Sequence, residues 1–395
     1  MLKWSNFKKK RIGNVMEKEG LDVLIASCPE NVYYLSEYES IGHRMLFKAQ
    51  IFAMLEIGKD QTTLVIPLAE VPTALERFPG HNMTCFGNFY FTYNECDLEF
   101  GDIKRITQSS ESDCIQALCK NLKRLDRTSR RIGLDESRLT PAQWKYLEVA
   151  FPDKEFIPAF DIFVRIRMIK HESEVTLLER AAKIAEESLF NILPKIEIGT
   201  SENEIGRWYM KEVIERGAEP FFNVVTIDER SAFADTVNTK KSVKHGSIIR
   251  FDIGCIYQGY RSDIARTAVF GKCTEKVKQY YRAILIGQER AIEQIKPGIS
   301  AELIFNIAVE EIRKAGISHY NRHHCGHGIG LEVHEPPSVA PGIKTQIQPG
   351  VVLCIETPYY ELNWGGIQVE DTIVVTDTGF RYLTKSSREL INVGV

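Results

Sequence analysis

The sequence predicts an α/β (α+β) protein in two parts, a small α/β domain over residues 1–162 and a larger, pseudo-twofold domain over residues 163–395. Three observations carry this. Short apolar runs alternate with helical patterns through the first part, the signature of a sheet covered by helices. In the second part GTSENEIGRWYMKEVIERG, from Gly199, aligns with GISAELIFNIAVEEIRKAG, from Gly298, at a constant offset of 99. Each copy is then followed by a β-rich stretch that carries two acids, so the second domain reads as one supersecondary unit used twice.

In chain order, Lys8 to Arg11 reads as the solvated face of a first helix. The runs Leu21 to Ser27, Gln50 to Ile57, Thr62 to Pro67 and Arg131 to Asp135 read as buried strands, with helical patterns over Ser112 to Leu125 and Pro141 to Phe151. From Ile157 to Arg167 the pattern lapses, which places the domain boundary there, and a long helix runs from Glu172 to about Leu193. Within the repeat, Ser201 matches Ser300 as helix N-cap, Glu212 matches Glu311, and Gly217 matches Gly316 as the residue that ends the helix. Asp252 and Asp263 then fall on two strands joined by a turn near Gln258-Gly259, and Glu356 and Glu370 on two strands joined through Asn363 to Gly366. A pseudo-twofold relation between the halves would set both acid pairs on one curved sheet, facing a shared centre.

Composition excludes several function classes. A formal net charge of -3 lacks the basic surplus of a nucleic-acid binder, and no apolar run approaches the roughly 18 residues of a membrane span. Neither a nucleic acid nor a membrane is expected as a partner. Cysteines are odd in number, 9, and lack zinc-finger spacing, which fits reduced thiols and a cytoplasmic location.

The chemistry centres on CGHGIGLEVHEPP, Cys325 to Pro337, where glycines on both sides of His327 rule out a helix face and indicate backbone kept slim for a close approach. One imidazole, His327, and four carboxylates, Asp252, Asp263, Glu356 and Glu370, form the ligand set that a pair of divalent cations needs. Carboxylate-rich ligation suits manganese, cobalt, iron or zinc. Gathered without metal, such acids repel one another, so the metal also belongs to the local stability. Cys325 reads as a small buried residue, His323 and His324 as packing beside the ligands, Arg266 and Thr267 as supports of Asp263, and Phe221, Phe222, Tyr359, Tyr360 and Trp364 as pocket lining or core.

The motifs DIG, SDIART, GHGIGLEVHE, ET and ED, spaced 11 residues from Asp252 to Asp263, 29 from His327 to Glu356 and 14 from Glu356 to Glu370, resemble the pita-bread metallopeptidases. That family comprises methionyl and Xaa-Pro aminopeptidases and prolidases, with creatinase as a metal-free relative, and the resemblance is to the prolidase branch. PENVYYLS and the IRMIKHESEVTLLERAAKIAEESL helix are similar to creatinase and prolidase amino-terminal domains, so the resemblance covers nearly the whole chain. It implies a creatinase-type domain followed by a pita-bread domain. It also implies two divalent ions: Asp252 on one, His327 and Glu356 on the other, and Asp263 and Glu370 bridging. The activity implied is cleavage of an amide bond in a small peptide by a metal-bridged hydroxide, with Glu356 accepting a proton and His334 contacting the substrate carbonyl. A homodimer, in which a neighbour's amino-terminal domain rims the site, is implied as well.

Two positions depart from the family pattern. Asp235 stands 17 residues before Asp252, where the family keeps a histidine, and Ser338 stands where prolidases carry an arginine for the substrate carboxylate. An ionised Asp235 accepts hydrogen bonds only, which predicts weak turnover of ordinary Xaa-Pro dipeptides and a preference for an amine, amidine or guanidine donor. Arg44, in the stretch Ser40 to Ala49, is able to clamp a carboxylate and is a substitute anchor for an anionic end. Two further readings therefore stand beside an Xaa-Pro peptidase: a carbon-nitrogen hydrolase or lyase of a small non-peptide molecule, in the manner of creatinase or ectoine hydrolase, and a non-catalytic partner-binding module. The last would tolerate eroded ligands, and all of them are intact.

Overall fold

A buried strand needs apolar side chains on both faces, and the runs Val23–Ala26 (β1), Phe52–Glu56 (β2), Thr63–Pro67 (β3), Asn82–Phe86 (β4), Arg131–Leu134 (β5) and Glu155–Pro158 (β6) form one six-stranded mixed sheet in the order β4-β3-β2-β1-β5-β6. The computed structural model describes residues 6–46, 48–77, 82–92 and 101–394; Met1 to Ser5, and Phe47 in the Ser40 to Ala49 stretch, lie outside the described residues. The chain divides into two compact units, Met1–Ile166 and Arg167–Val395.

Two expectations for the first unit change. Lys8 is buried, with its ammonium 4.2 Å from the centre of the Tyr34 ring, and Arg11 donates to the carbonyls of Ile166 and Arg165. The basic run is thus only partly solvated, because long cationic side chains pack their stems on apolar surface and aromatic faces. Residues 157–167 are not patternless either: Phe160–Met168 is a helix burying Ile162, Phe163 and Ile166. Flanking Pro158 and the short length hid its period.

In the second unit the repeat is realised as two helix pairs, each helix pair leading into strands. Glu172–Ile192 precedes Glu202–Glu215, and Glu275–Glu293 precedes Ala301–Lys314. Ser201 Oγ accepts from the Glu204 N–H and Ser300 Oγ from the Leu303 N–H, satisfying donors that a helix start leaves open. Gly217 and Gly316, at φ 76° and 126°, turn the chain out of the helices.

The strands of this unit are Glu219–Ile227 (β7), Ile248–Tyr257 (β8), Tyr260–Arg261 (β9), Ile264–Phe270 (β10), Gly326–Gly328 (β11), Val352–Glu356 (β12), Tyr359–Glu361 (β13), Gly365–Ile367 (β14), Glu370–Val375 (β15), Phe380–Tyr382 (β16) and Ile391–Val393 (β17). A sheet runs β11-β12-β15-β10-β8-β7, with β16 beside β15, β17 beside β10 and β9 beside β8. The two halves meet at β10 and β15, where Ala265 pairs with Glu370. One helix pair and its strands enclose a core around Ile205, Tyr209, Ile249 and Phe251, and the other a core around Ile284, Ile304, Leu353 and Ile373.

Candidate metal centre

Register places the acids. Asp252 on β8 pairs with Ala265 on β10, Ala265 with Glu370 on β15, and Glu370 with Glu356 on β12. Paired residues share a face of a sheet, so three carboxylates stand in one transverse row with only the small Ala265 between them. Asp263 lies two residues before Ala265, and His327 pairs with Cys354, two residues before Glu356; both therefore share that face. The side chains converge accordingly. His327 Nε2 is 3.6 Å from Asp263 Oδ2 and 3.8 Å from Glu370 Oε1, and Asp263, His327, Cys354 and Glu370 bring donor atoms within 4.8 Å of one another.

This cluster opens on a cavity of roughly 830 Å³ whose lining includes Asp252, Asp263, His327, Glu356, Glu370 and His334. Asp235 lines it too, as an exposed side chain on its wall, and no ion pair is recorded for it among the described residues. His334 stacks on His327 with ring centres 3.9 Å apart. Arg44 belongs to the first unit, on the short helix Ile41–Met45, exposed and 3.0 Å from Glu39.

The electrostatics are those of carboxylates crowded together in low dielectric. Burial raises the Glu356 carboxyl to about 7, with Arg322 opposing and Asp252 adding to the shift. Asp263 and Glu370 are pushed well above the ordinary carboxylate range, first by burial and then by each other's neighbours: Asp252 and Glu356 act on Asp263, and Asp263 and Glu356 on Glu370. Burial lowers His327 to about 3, so its imidazole is neutral. Its Nδ1 lies 3.0 Å from the Gly328 carbonyl, which fixes the tautomer with Nδ1–H donating and leaves the Nε2 lone pair facing the acids. Asp263 Oδ1 and Glu370 Oε1 are buried without a hydrogen-bond partner. Unpartnered carboxyl oxygens beside an imidazole lone pair are what a divalent cation satisfies, so the donor set fits a metal centre.

Several neighbours take places that the sequence pattern did not indicate. Arg250, fully buried two residues before Asp252, donates to Asp252 Oδ2 at 3.0 Å and Gln368 Oε1 at 2.8 Å, and to the carbonyls of Phe233 and Ala234, next to Asp235. Strand alternation in RFD and QVE was the available signal, since residues two apart share a face. Arg322 reaches within 3.9 Å of Glu356 Oε2, and His324 Nδ1 lies 3.3 Å from Glu356 Oε1. Cys325 is buried and inert, its thiol pushed up to about 12 by burial. Cys354, by contrast, sits inside the donor cluster, paired with His327 on the side of β12 that carries Glu356.

Other expectations are corrected. Arg266 and Thr267 do not support Asp263 directly: Arg266 donates to the Glu370 carbonyl and Asp371 Oδ1, and Thr267 Oγ1 to the Gln368 carbonyl, so both tie down the strand that carries Glu370. Phe221, Phe222 and Tyr360 line the cavity, whereas Tyr359 and Trp364 pack with Tyr280 at ring distances of 5.0 and 6.0 Å. Tyr359 and Tyr360 part because successive strand residues face opposite sides. The slim backbone after His327 makes way for the chain itself. A Cβ on Gly330 would stand 2.7 Å from Glu335 Oε2, and one on Gly328 2.6 Å from the Glu335 carbonyl oxygen.

Glu335 is a hidden brace. Its carboxylate accepts from Lys170 Nζ at 2.7 Å and from the Leu331 N–H at 3.1 Å, and lies near Arg167, which also bonds Glu332. Burial alone would raise it, but Lys170 and Arg167 outweigh burial and hold it below the ordinary carboxylate range. Because the folded value is depressed, this stabilisation is present above the ordinary carboxylate range and is lost as pH falls through the folded value. Glu335→Gln leaves a buried ammonium uncompensated and is expected to cost about 3–5 kcal/mol at pH 7. Calorimetry should also show a smaller acid-induced fall in Tm for the variant; identical acid profiles would refute the brace.

Comparisons with known proteins agree with this architecture. Residues 176–377 match the model of metallopeptidase family M24, and residues 8–169 match the creatinase/prolidase N-terminal domain. The chain is 30% identical to an Xaa-Pro dipeptidase of Pyrococcus horikoshii over 98% of this chain and 99% of the relative. The crystal structure of the prolidase from Pyrococcus horikoshii OT3 superposes with TM-score 0.79 at 30% identity, covering 98% of this chain and all (100%) of that one. The X-Pro aminopeptidase from Thermotoga maritima MSB8 superposes with TM-score 0.80 at 25% identity, covering 98% and 99%. Among the described residues no helix is long and apolar enough to cross a membrane. With its acids and histidine gathered on one sheet face in the matched region, the chain belongs to metallopeptidase family M24 and carries the creatinase/prolidase N-terminal domain in front of the catalytic one.

Proposed function

We propose that this protein is a metal-dependent dipeptidase of the Xaa-Pro type, working on a small peptide with a cationic end. The observation that carries the reading is the convergence of Asp252, Asp263, His327, Glu356 and Glu370 on one sheet face at a cavity walled by an unpaired acid, Asp235. Those five residues would hold two divalent ions, Mn, Co, Fe or Zn. When bound, the ions supply Lewis acidity and a water of lowered pKa. Arg250, held by Gln368, orients Asp252. Glu356 takes up the proton of the attacking water, and neutral His334, lowered chiefly by burial, donates an N–H where charge develops on the carbonyl oxygen. Asp235 accepts from the substrate's ammonium. A homodimer, in which Arg44 of a second copy joins the site, is tested by light scattering. A cytoplasmic setting is supported by the absence of a disulfide among the described cysteines.

The same Asp235 favours a second reading, hydrolysis of a carbon-nitrogen bond in a small non-peptide amide or amidine. Turnover of Ala-Pro, Arg-Pro, N-acetyl-Ala-Pro and a set of cationic amides separates the two. Wild type should cleave N-acetyl-Ala-Pro about tenfold to hundredfold less efficiently than Ala-Pro, and Asp235→His should narrow that ratio. Equal kcat/KM for the free and acetylated peptides would remove Asp235 from substrate binding. Turnover of the amides alone would replace the dipeptidase reading by the second.

A further inference from the structure

Arg322, partly buried, stands apart from the buried cations Arg250 and Lys170 of this unit. Arg250 and Lys170 are engaged by acceptors, Arg250 through Asp252, Gln368 and two carbonyls, and Lys170 through Glu335. Arg322, on the wall of the same cavity with 15% of its side chain exposed, makes no hydrogen bond among the described residues. Its Nε is buried without a partner, and its closest acid, Glu356, is 3.9 Å away, beyond hydrogen-bond length. The guanidinium carbon lies 5.4 Å from the centre of the Tyr360 ring, a cation–π contact that uses none of its N–H donors. A planar group with five donors and no acceptor is incomplete, and a carboxylate is the ligand that matches its fork.

We propose that Arg322 anchors the free carboxylate of the substrate. This rests on the dipeptidase reading and deepens it. The guanidinium is 3.9 Å from the carboxylate assigned to receive the water proton, and successive Cα atoms along a peptide are about 3.8 Å apart. A carboxylate seated on Arg322 is therefore within about one residue's span of Glu356, beside which the carbonyl is attacked. The site accordingly selects peptides with a single residue after the scissile bond, and with Asp235 on the same cavity it favours a dipeptide carrying both free ends. Arg322 thus takes within one chain the part that Ser338 leaves vacant.

The test uses the metal-loaded full chain, and compares Ala-Pro with its C-terminal amide in turnover, and L-proline with L-prolinamide in calorimetric binding. Arg322→Gln should raise KM for Ala-Pro, and Kd for proline, about tenfold to hundredfold while leaving the amides nearly unchanged. Arg322→Lys, which keeps the charge and loses the fork, should fall between; it serves also if the glutamine variant misfolds. A residue that merely balanced the charge of Glu356 would move acid and amide alike, and that result overturns the proposal while peptide turnover by wild type leaves the dipeptidase reading standing. Selective proline binding without any peptide turnover would retain the anchor and reject the reading. A selective loss in Arg44→Ala instead of Arg322→Gln would assign the anchor to a neighbouring copy and overturn the proposal.

Discussion

Glu356→Ala is expected to lower kcat/KM by at least about 10⁴-fold in a protein that still folds. On the proposed function the substitution removes a metal ligand and the proton acceptor together, and the sheet loses no hydrogen bond because Glu356 contributes to β12 through its backbone, paired with Glu370. The second half of the expectation concerns stability. The Glu356 carboxyl is raised by burial to about 7 from an ordinary 4.5, so the metal-free folded chain binds its proton more tightly than the unfolded chain does. Stability of the metal-free protein therefore falls as pH rises from about 4.5 through about 7, by on the order of 3 kcal/mol from this group. Glu356→Ala lacks that loss. Urea titrations of the chelated proteins at pH 5 and pH 8 should show the variant closing the gap to wild type, or passing it, at pH 8. Retention of near-wild-type turnover would reject the mechanism, and a variant that is unfolded at both pH values would reject the claim that the acid destabilises the metal-free site.

Removal of metal is the second large effect. About two divalent ions per chain are expected by elemental analysis, and chelation should abolish turnover, with recovery on adding manganese or cobalt. Ligands bind metal deprotonated, and here Asp263 and Glu370 resist deprotonation because burial and neighbouring acids oppose their charges. Metal therefore relieves more repulsion at high pH than at low pH. The drop in Tm on chelation should be several degrees larger at pH 8 than at pH 5.5, with Tm moving by about 2–4 °C per kcal/mol in a domain of this size. An active preparation free of metal would end this account, and an equal drop at both pH values would show that the acids are not what the metal stabilises.

Much of this centre is written along the chain. Ser201 and Ser300 cap matching helices, each copy leads into strands bearing two acids, and His327 lies between glycines; all of these are local signals with a fixed period or turn chemistry. The assembly of the acids followed from the same periodicity, because residues two apart on a strand share a face. What stayed hidden depended on contacts across long stretches of chain. Lys170 reaches Glu335 and Arg266 reaches Asp371, and nothing local marks these pairs. Arg322 sits in a loop, NRHHC, where no period indicates direction.

Taken alone, the sequence determined the repeat and the two acid hairpins and singled out the five candidate donors, though not Cys354 beside them, since covalent spacing and strand alternation are properties of the chain itself. Tertiary structure decided the rest. Pairing of Ala265 with both Asp252 and Glu370 set the lateral register that joins the halves, and a slip of one residue there would have sent an acid to the opposite face. It also decided which cations are spent and which remain open: Arg250 is consumed by Asp252 and Gln368, while Arg322 on the cavity wall has its Nε buried without an acceptor and meets Glu356 only at 3.9 Å. Hydrogen-bond satisfaction is a property of three-dimensional neighbours, and no linear pattern encodes it.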